Sequence, residues 1–242
     1  MADKQLPLAV VTGAAHRLGG AFARALAQEG YAILLHYRSS KAEAETAAKD
    51  LQALGVPVYP FQADLTVPAQ ILALFQFSDS LPHPLNILVN SAAVMPDVDV
   101  RRMKLEDWDS VFNLNLRAPF LLSQAAAERM ENGGLIINVT DSGATKAWSG
   151  FPAYSVSKAG LEALTRVLAR AYAPGIRVNA IAPGLVMPGQ ALQPGQWDKL
   201  VSRLPQKRPA SVEEVMLALD YLIRNQAVTG QIVVVDSGYS LI

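Results

Sequence analysis

The chain alternates between short runs of apolar, β-prone residues and longer stretches in which apolar residues recur at helical spacing. Most of the short runs are almost continuously apolar, which is typical of strands buried on both faces of a parallel sheet. Strands that alternate with helices pair in parallel through right-handed crossovers. The sequence therefore predicts an α/β fold, a doubly wound parallel sheet of about seven strands with helices on both faces. The predicted strands are Leu8–Thr12, Ala32–His36, Val56–Phe61, Leu85–Val89, Leu135–Val139, Arg177–Ile181 and Ile232–Val235.

The ends of several helices are also marked in the sequence. Gly30 follows an apolar stripe of helical period, at the position of a C-terminal glycine, and predicts the end of the first helix. Capping boxes at Ser40–Glu43 and Ser211–Glu214 predict the start of two more. A long alanine-rich helix is predicted over Pro152–Tyr172.

The composition excludes several classes of function. The chain of 242 residues contains 21 basic and 21 acidic residues, a balance that argues against nucleic-acid or membrane-surface binding. It contains no cysteine, which excludes disulfides, thiolate metal centres and a cysteine nucleophile. The three histidines lack metal-ligand spacing, so we expect no metal site.

We expect one cytoplasmic domain over residues 1–242. The apolar run after Lys4 is interrupted by Pro7 and leads into a glycine turn, which favours a first strand over a targeting segment. No run of about 18 apolar residues predicts a membrane span, and no compositional linker divides the chain. Pro183–Pro209 holds five prolines and three glycines, and we interpret 185–210 within it as a flexible substrate flap.

The turn after the first predicted strand has a glycine pattern suited to a dinucleotide. Residues 12–20 read Thr-Gly-Ala-Ala-His-Arg-Leu-Gly-Gly and lead directly into the first predicted helix. A glycine here lets the backbone approach a pyrophosphate, while the helix N-terminus supplies amides and partial positive charge. The position between a strand and a helix favours a Rossmann-like dinucleotide site over an ordinary glycine-rich turn.

The residues after the second predicted strand favour NADP(H) over NAD(H). An NAD-binding unit places an acidic residue there to hold the ribose 2′-hydroxyl, whereas this chain has Arg38 and Ser39 and no acidic residue until Glu43. A second arginine, Arg17, lies in the glycine turn itself. Guanidinium groups match phosphate, which a carboxylate would repel. A solvated arginine at the strand end remains the alternative.

Tyr154 and Lys158 are four residues apart on the long predicted helix and so share one of its faces. A nearby ammonium favours the phenolate and lowers the pKa of the tyrosine toward working pH, as acid–base catalysis requires. The spacing alone is weak evidence, because Tyr37 and Lys41 share it and we assign that pair no catalytic role.

Several segments, in order along the chain, resemble the motifs of the short-chain dehydrogenase/reductase family. The glycine turn is similar to its TGxxxGxG pattern, with Arg17 where the middle glycine usually stands, and residues 90–93 resemble its NNAG motif. Asn115 matches the family's helix asparagine, which takes part in a water-mediated proton relay, and residues 229–230 and 236–238 resemble its C-terminal signature. The resemblance implies a nicotinamide-cofactor site made of Gly13, Arg17, Leu18, Gly19, His36, Tyr37, Arg38, Ser39, Asp64, Leu65, Asn90, Ser91, Ala92, Tyr154, Lys158, Pro183 and Gly184.

The family's catalytic serine normally lies thirteen residues before the tyrosine, and that position is Asp141 here. Ser142 is adjacent and remains an alternative. Together with Arg17 and the segment His36–Ser39, Asp141 resembles the pteridine reductase branch of the family, in which the turn reads TGAAxRLG and an aspartate partners the tyrosine. This resemblance implies a catalytic group of Asp141, Tyr154, Lys158 and Asn115, and substrate contacts from Arg17, Met95, Asp141 and Tyr154.

An aspartate beside the tyrosine suits the reduction of a C=N bond in a pterin. A carboxyl group can accept hydrogen bonds from the pterin amino and ring N–H groups or relay a proton. It also opposes ionisation of Tyr154, which leaves the phenol able to donate a proton. Pteridine reductases stack the pterin on an aromatic ring where this chain has Met95, a weaker partner. Trp148, Phe151 or Trp197 could supply that ring instead.

We therefore expect an NADPH-dependent reductase acting on a small dihydropterin- or dihydrofolate-like molecule. The alternatives are a short-chain carbonyl reductase, acting on a 3-oxoacyl thioester or another ketone, and a non-catalytic NADP(H)-sensing or scaffold protein. The family resemblance also implies a homotetramer whose contacts bury the helix Pro152–Tyr172. A helix that packs only in the core of its own chain remains the alternative.

Overall fold

A computed structural model describes residues 5–130, 133–189 and 193–242. These residues form one seven-stranded, all-parallel sheet in the order β3-β2-β1-β4-β5-β6-β7. The strands are β1 Leu8–Val11, β2 Ala32–Tyr37, β3 Val58–Gln62, β4 Leu85–Asn90, β5 Gly134–Val139, β6 Ile176–Pro183 and β7 Ile232–Val235. The helices are α1 Arg17–Gln28, α2 Lys41–Gln52, α3 Pro68–Asp79, α4 Leu105–Phe112, α5 Ala118–Ala127, α6 Pro152–Tyr172, α7 Gln196–Arg203 and α8 Val212–Arg224. A π-helix over Asn113–Arg117 joins α4 to α5, and a 3₁₀ helix spans Tyr239–Leu241.

Both faces of the sheet are covered by helices, as the apolar runs predicted. Successive strand residues point to opposite faces. Ala9 and Val11 therefore belong to the core cluster that contains residues of α1, α2 and α8. Leu8 and Val10 belong to the other cluster, with residues of α3, α5 and α6. The structure confirms the predicted Rossmann-like, doubly wound α/β fold.

The two edge strands depart from the prediction of strands buried on both faces. In β3 only Val58 is fully buried, and in β7 Val234 is half exposed. Each of these strands has a neighbour on one side only, because they lie at the two ends of the sheet. The edge position also explains how Pro60 fits into β3, since proline cannot donate a hydrogen bond to a second neighbour.

Two of the three predicted helix-end signals are confirmed. Gly30 has φ +85° and closes α1 with bonds from its own amide to Ala27 O and from Tyr31 N to Leu26 O, as a C-terminal glycine does. Ser211 and Glu214 form the predicted capping box of α8.

The capping box predicted at Ser40–Glu43 is wrong. Ser40 precedes α2, but its side chain makes no capping bond. The reason is local geometry, because Ser40 has ψ 62° instead of the extended conformation that aims an N-cap side chain at the helix amides.

The region predicted as a flap contains regular structure. Within 185–210, α7 spans Gln196–Arg203, so this part of the predicted flap is helical. The sequence of α7 is amphipathic, although Pro194 and Pro205 lie on either side of the helix. Residues 190–192 of this region lie outside the described residues. Among the helices described, none has the length and apolar character needed to cross a bilayer.

Candidate active site

The glycine turn between β1 and α1 is built for close approach of the backbone. Gly13 has φ +65°, and a Cβ there would lie 3.0 Å from Ala92 Cα. A Cβ on Gly19, at the start of α1, would lie 2.1 Å from Gly13 O. Side chains at either position would fill the concave turn at the N-terminus of α1, where a dinucleotide pyrophosphate binds in this fold. The turn therefore fits the predicted cofactor.

His36 supports this turn from inside the protein. Its imidazole is only 2% exposed. Nδ1 accepts a hydrogen bond from Gly13 N at 3.1 Å, and Nε2 lies 3.0 Å from Ala63 O, to which it donates in the neutral tautomer that this pair requires. Burial lowers the pKa of His36 to about 4, so the ring is neutral at pH 7. His36 thus braces two loops of the site with both ring nitrogens.

Thr12 joins the ends of β1 and β4, where the strand order reverses. Its hydroxyl accepts hydrogen bonds from Ser91 N at 2.9 Å and Ala92 N at 3.0 Å. Ligands bind at such a reversal in open α/β sheets. The predicted cofactor residues include Ser91 and Ala92 but not Thr12, whose position at the end of a predicted strand was the available signal.

The side chain of Asn90 is buried in the sheet. Its amide nitrogen donates to Asn138 Oδ1 at 2.9 Å and to Ser123 Oγ at 3.3 Å. Asn138 in turn donates to Thr165 Oγ1 at 2.9 Å. The Asn90 and Asn138 side chains therefore connect β4 and β5 to α5 and α6. Both N–H groups of the Asn90 amide are used in these bonds, so neither is left to bind a cofactor.

The end of β2 divides the predicted cofactor residues into two groups. Tyr37 is buried in the core cluster, whereas Arg38 and Ser39 are exposed. Arg38 lies close enough to Asp64 to help lower the pKa of that carboxyl, although hydrogen bonds from Thr66 are the main cause. Leu65 is buried beside it. An arginine and a serine are thus available where a 2′-phosphate would lie, with one acidic residue nearby.

Arg17 opens α1 with φ 54°, and its side chain is exposed. The guanidinium donates to Pro188 O at 3.2 Å and to Met187 O at 3.4 Å. Leu18 is half-buried in the same turn. The arginine therefore spans from the glycine turn to the segment after β6.

Tyr154 and Asp141 face each other at the carboxyl end of β5. The Tyr154 hydroxyl donates to Asp141 Oδ2 at 2.7 Å, and Asp141 Oδ1 accepts from Gly143 N at 2.7 Å. Tyr154 lies in the first turn of α6, which begins at Pro152. The hydroxyl of Ser142 is buried and faces Asp236, whose pKa it helps to lower. Asp141, rather than Ser142, is thus the partner of the tyrosine.

Lys158 lies one turn further along α6 and is 3% exposed. Its Nζ donates to Val139 O at 2.7 Å and lies 5.8 Å from the centre of the Tyr154 ring. Burial lowers the pKa of this ammonium to about 8, against the attraction of Asp141.

The expectation that Lys158 lowers the pKa of Tyr154 is wrong for this structure. Burial raises the pKa of the Tyr154 phenol well above its usual value, and the Asp141 charge raises it further. Burial also raises the pKa of Asp141. The proton is therefore held on the phenol, in agreement with the expected effect of an aspartate at this position.

Asn115 occupies the π-helix between α4 and α5, a feature found often at functional sites. Its amide nitrogen donates to Val94 O at 2.9 Å and to Ser157 Oγ at 3.2 Å, and its oxygen accepts from Val94 N at 3.0 Å. The side chain thus links the segment after β4 to α6, next to Lys158.

Pro183 ends β6 and Gly184 follows it, beside the segment that carries Asp141. Pro183 O accepts from Ser142 N at 3.0 Å, and Gly184 N donates to Val235 O at 3.0 Å. A Cβ on Gly184 would lie 2.6 Å from Asp236 Cβ. The glycine is therefore required by the close approach of the segment after β7.

Met95 and the aromatic residues near the site differ in position. Met95 is 44% exposed. Trp148 contacts Phe151 and Tyr239, with ring centres 6.1 Å and 6.0 Å apart, and Trp197 is half-buried on α7. Tyr239 was missed, although it directly follows the 236–238 motif. Among the residues that the structure describes, no group of three His, Asp or Glu could hold a metal ion.

Comparison with known proteins gives matches that span almost the whole chain. A family model described as enoyl-(acyl carrier protein) reductase matches residues 13–240. The 3-oxoacyl-[acyl-carrier-protein] reductase FabG of Staphylococcus epidermidis is 32% identical over 237 residues, which cover 95% of this chain and 97% of the relative.

Solved structures of similar proteins also match almost the whole chain. FolM alternative dihydrofolate reductase 1 from Brucella suis, in complex with NADP, has a TM-score of 0.91 and 32% identity, covering 98% of this chain and 96% of its own. A blue fluorescent protein from a metagenomic library, in complex with NADPH, has a TM-score of 0.89 and 31% identity, covering 97% and 98%. With the glycine turn, the Tyr154–Lys158 pair and the sheet order, these matches show that the chain belongs to the short-chain dehydrogenase/reductase family.

Proposed function

We propose that this protein is an NADPH-dependent reductase of a pterin-like substrate, a dihydropterin or a dihydrofolate. The observation that carries the proposal is the 2.7 Å hydrogen bond from the Tyr154 hydroxyl to Asp141, a carboxyl group at the position of the family's usual serine. The similarity to FolM alternative dihydrofolate reductase 1 supports it.

The cofactor is NADP(H). Arg38, Ser39 and Arg17 supply the cationic and hydroxyl groups that suit a 2′-phosphate. The glycine turn leaves room for the pyrophosphate at Gly13 and Gly19. Structural neighbours of the chain were crystallised with NADP or NADPH.

Bound NADPH supplies a hydride to a ring carbon, and the chain's own residues must supply the proton for the neighbouring nitrogen. Tyr154 is placed to donate that proton. A protonated Asp141 can then restore it through the same 2.7 Å contact, and the raised pKa of Asp141 increases the protonated fraction. One hydride and one proton together reduce one C=N bond.

The other two members of the catalytic group lie near the pair and do not bond its side chains. Lys158 is fixed to Val139 O, and we propose that its ammonium also binds the nicotinamide ribose. Asn115 is a positioning residue whose side chain fixes the segment after β4 against α6.

A carbonyl reductase is the second candidate, and the 32% identity to FabG of Staphylococcus epidermidis favours it. Reduction of a ketone in this family uses a serine hydroxyl beside the tyrosine. Here Asp141 takes that place and the neighbouring Ser142 hydroxyl is buried. The site geometry therefore favours the pterin over the ketone.

The test is NADPH consumption with dihydrobiopterin, dihydrofolate, dihydromonapterin and a 3-oxoacyl thioester, with NADH in parallel. We expect turnover of the pterins, loss of turnover in Tyr154→Phe, and preference for NADPH. Turnover of the thioester with the pterins ignored would overturn the proposal in favour of the carbonyl reductase. Binding of NADPH with no turnover of any substrate would favour a sensing or scaffold role.

We also propose that the protein assembles as a homotetramer in the cytoplasm. Large apolar side chains are exposed on α5 and α6, with Phe120 at 41%, Val156 at 50% and Val167 at 62%. Exposed apolar residues on adjacent helices favour an interface between subunits. Light scattering of the purified protein measures the mass, and a monomer across the micromolar range would overturn the assembly.

A further inference from the structure

Arg117 belongs neither to the cofactor residues nor to the catalytic group described above, yet it makes a long-range contact. It ends the π-helix over Asn113–Arg117, and its side chain is exposed. Its Nη2 donates a hydrogen bond of 2.7 Å to the backbone oxygen of Thr66, which lies 51 residues earlier in the chain. The guanidinium therefore connects the π-helix to the loop between β3 and α3.

Thr66 is part of that loop, which covers residues 63–67, and it is bonded to Asp64 as well as to Arg117. Asp64 Oδ1 accepts from Thr66 N at 2.9 Å and from Thr66 Oγ1 at 2.7 Å, which forms an Asx turn. These two bonds are the main cause that lowers the pKa of Asp64, so its carboxyl group is ionised at pH 7. A displacement of Thr66 would therefore displace the Asp64 carboxylate with it.

The loop follows an edge strand and needs support from other elements. Within the described residues, β3 has β2 on one side and no strand on the other. From β2, His36 bonds Ala63 O at 3.0 Å, and from α3 the Gln70 side chain accepts from Asp64 N at 2.6 Å. Arg117 holds the loop from a third element, the π-helix between α4 and α5.

The loop lies where the adenine half of NADPH must bind. The 2′-phosphate, for which Arg38 and Ser39 are proposed, is attached to the same ribose as the adenine ring. Arg38 lies close enough to Asp64 to act on the pKa of its carboxyl, so the loop is next to that ribose. Adenine donates hydrogen bonds from its amino group, and an ionised carboxylate accepts them.

The π-helix carries a catalytic residue on its other side. Asn115 is 1% exposed and bonds Val94 and the Ser157 hydroxyl. Residues two positions apart on a helix do not share a face, so Arg117 points away from these contacts and toward the loop. Removing the guanidinium therefore acts on the loop and leaves the Asn115 bonds in place.

We propose that Arg117 is a positioning residue for the adenine half of NADPH. By its bond to Thr66 it keeps the loop after β3, with the Asp64 carboxylate, in the conformation that receives the nucleotide. This inference rests on the proposed function, in which Arg38 and Ser39 bind the 2′-phosphate. Without the bond the loop is competent for only part of the time, and the apparent Kd rises by the inverse of that fraction.

The experiment replaces Arg117 with methionine, which keeps an unbranched side chain and removes every N–H donor. Arg117→Lys restores a donor and is the rescue variant, and Arg24→Met, at an exposed position inside α1, is the control. Dissociation constants are measured for NADPH, for adenosine 2′,5′-bisphosphate, which is its adenine half, and for reduced nicotinamide mononucleotide, which is its other half. NADPH fluorescence and calorimetric titration measure binding without turnover.

In Arg117→Met we expect the Kd of NADPH and of adenosine 2′,5′-bisphosphate to rise about fivefold, the upper range for an exposed charged contact. The Kd of the mononucleotide should not change, nor should kcat at saturating NADPH, because the nicotinamide end and Asn115 keep their contacts. Arg117→Lys should recover most of the affinity, and Arg24→Met should bind all three probes as the wild type does.

An unchanged Kd for adenosine 2′,5′-bisphosphate in Arg117→Met overturns the inference, even if urea unfolding shows that the variant is less stable. An equal loss of affinity for the mononucleotide, or the same loss in Arg24→Met, also overturns it. So does a fall in kcat with binding unchanged, because the arginine would then act on the catalytic side of the π-helix. Failure of the proposed function is recognised separately, as absence of pterin turnover or a preference for NADH in the wild type.

Discussion

Replacing Asp141 by asparagine tests the proton pathway with little change in shape. The introduced amide keeps an oxygen that can accept from Gly143 N, the 2.7 Å bond that fixes the turn after β5. The other carboxylate oxygen, 2.7 Å from the Tyr154 hydroxyl, becomes an NH₂ group that can neither accept the phenol proton nor return one. The substitution therefore removes the proton reservoir and retains the local fold.

The expected loss of activity is about 100-fold in kcat for the pterin substrate, at the lower end of the range for removing a general acid. The hydrogen bond from the phenol to the carboxylate is itself worth roughly 1.5–3 kcal/mol, because one partner is charged. Unfolding free energy should change by less than that, since the amide side chain retains the backbone bond and no longer buries a charge.

The pH profile separates this pathway from a structural effect. In the wild type, kcat should rise as pH falls, because the protonated Asp141 restores the Tyr154 proton and burial raises the pKa of that carboxyl above its usual value. In the Asp141→Asn variant, kcat should no longer rise as pH falls. Asp99→Asn is a matched control, because Asp99 also bonds the amide two residues later, at 2.9 Å, but is exposed and has no tyrosine partner. A fall in kcat of less than about tenfold, or an unchanged acid limb, would refute the reasoning.

Three further results are expected. Arg38→Glu should lower kcat/KM for NADPH by about 10- to 100-fold, the value of one charge-assisted phosphate contact, while NADH changes little. Activity should fall as pH rises through about 8, because Lys158, whose pKa is about 8, loses its charge there; a flat profile up to pH 10 in steady-state assays would contradict this. His36 has a folded pKa of about 4 and an ordinary value of 6.5, so acidification from 6.5 to 4 should reduce stability by roughly 3 kcal/mol. Urea unfolding of His36→Gln across that range should show the loss reduced by this amount.

The sheet could be predicted because its central strands carry no polar alternation. β1 and β2 are buried on both faces, so their sequences are continuous apolar runs that only a two-sided sheet accommodates. Helix α6 begins and ends as predicted, at Pro152 and Tyr172. The edge strand β3 was the least well placed, since its Tyr59, Pro60 and Phe61 alternate in burial and do not resemble a core strand.

The site was less predictable because motif positions do not specify where a side chain points. Asn90 and His36 both stand where cofactor contacts were expected, yet each uses its side chain inside the protein. Burial of these polar groups requires partners from distant segments, Asn138 and Ala63. Spacing along the chain carries no information about such partners.

The balance of charges around Tyr154 could not be predicted from the sequence either. A lysine four residues away suggested a lowered phenol pKa, and the lysine is present, 5.8 Å from the ring centre. Asp141 contacts the hydroxyl directly, with its oxygen 2.7 Å away, and its charge raises the pKa of the phenol, since Coulomb energy grows as distance falls. Both ionic neighbours are themselves desolvated, which raises the pKa of the carboxyl and lowers that of the ammonium. A phenol beside these two groups keeps its proton until a stronger base is presented, and under the proposed function that base is the pterin nitrogen next to the carbon that has received the hydride.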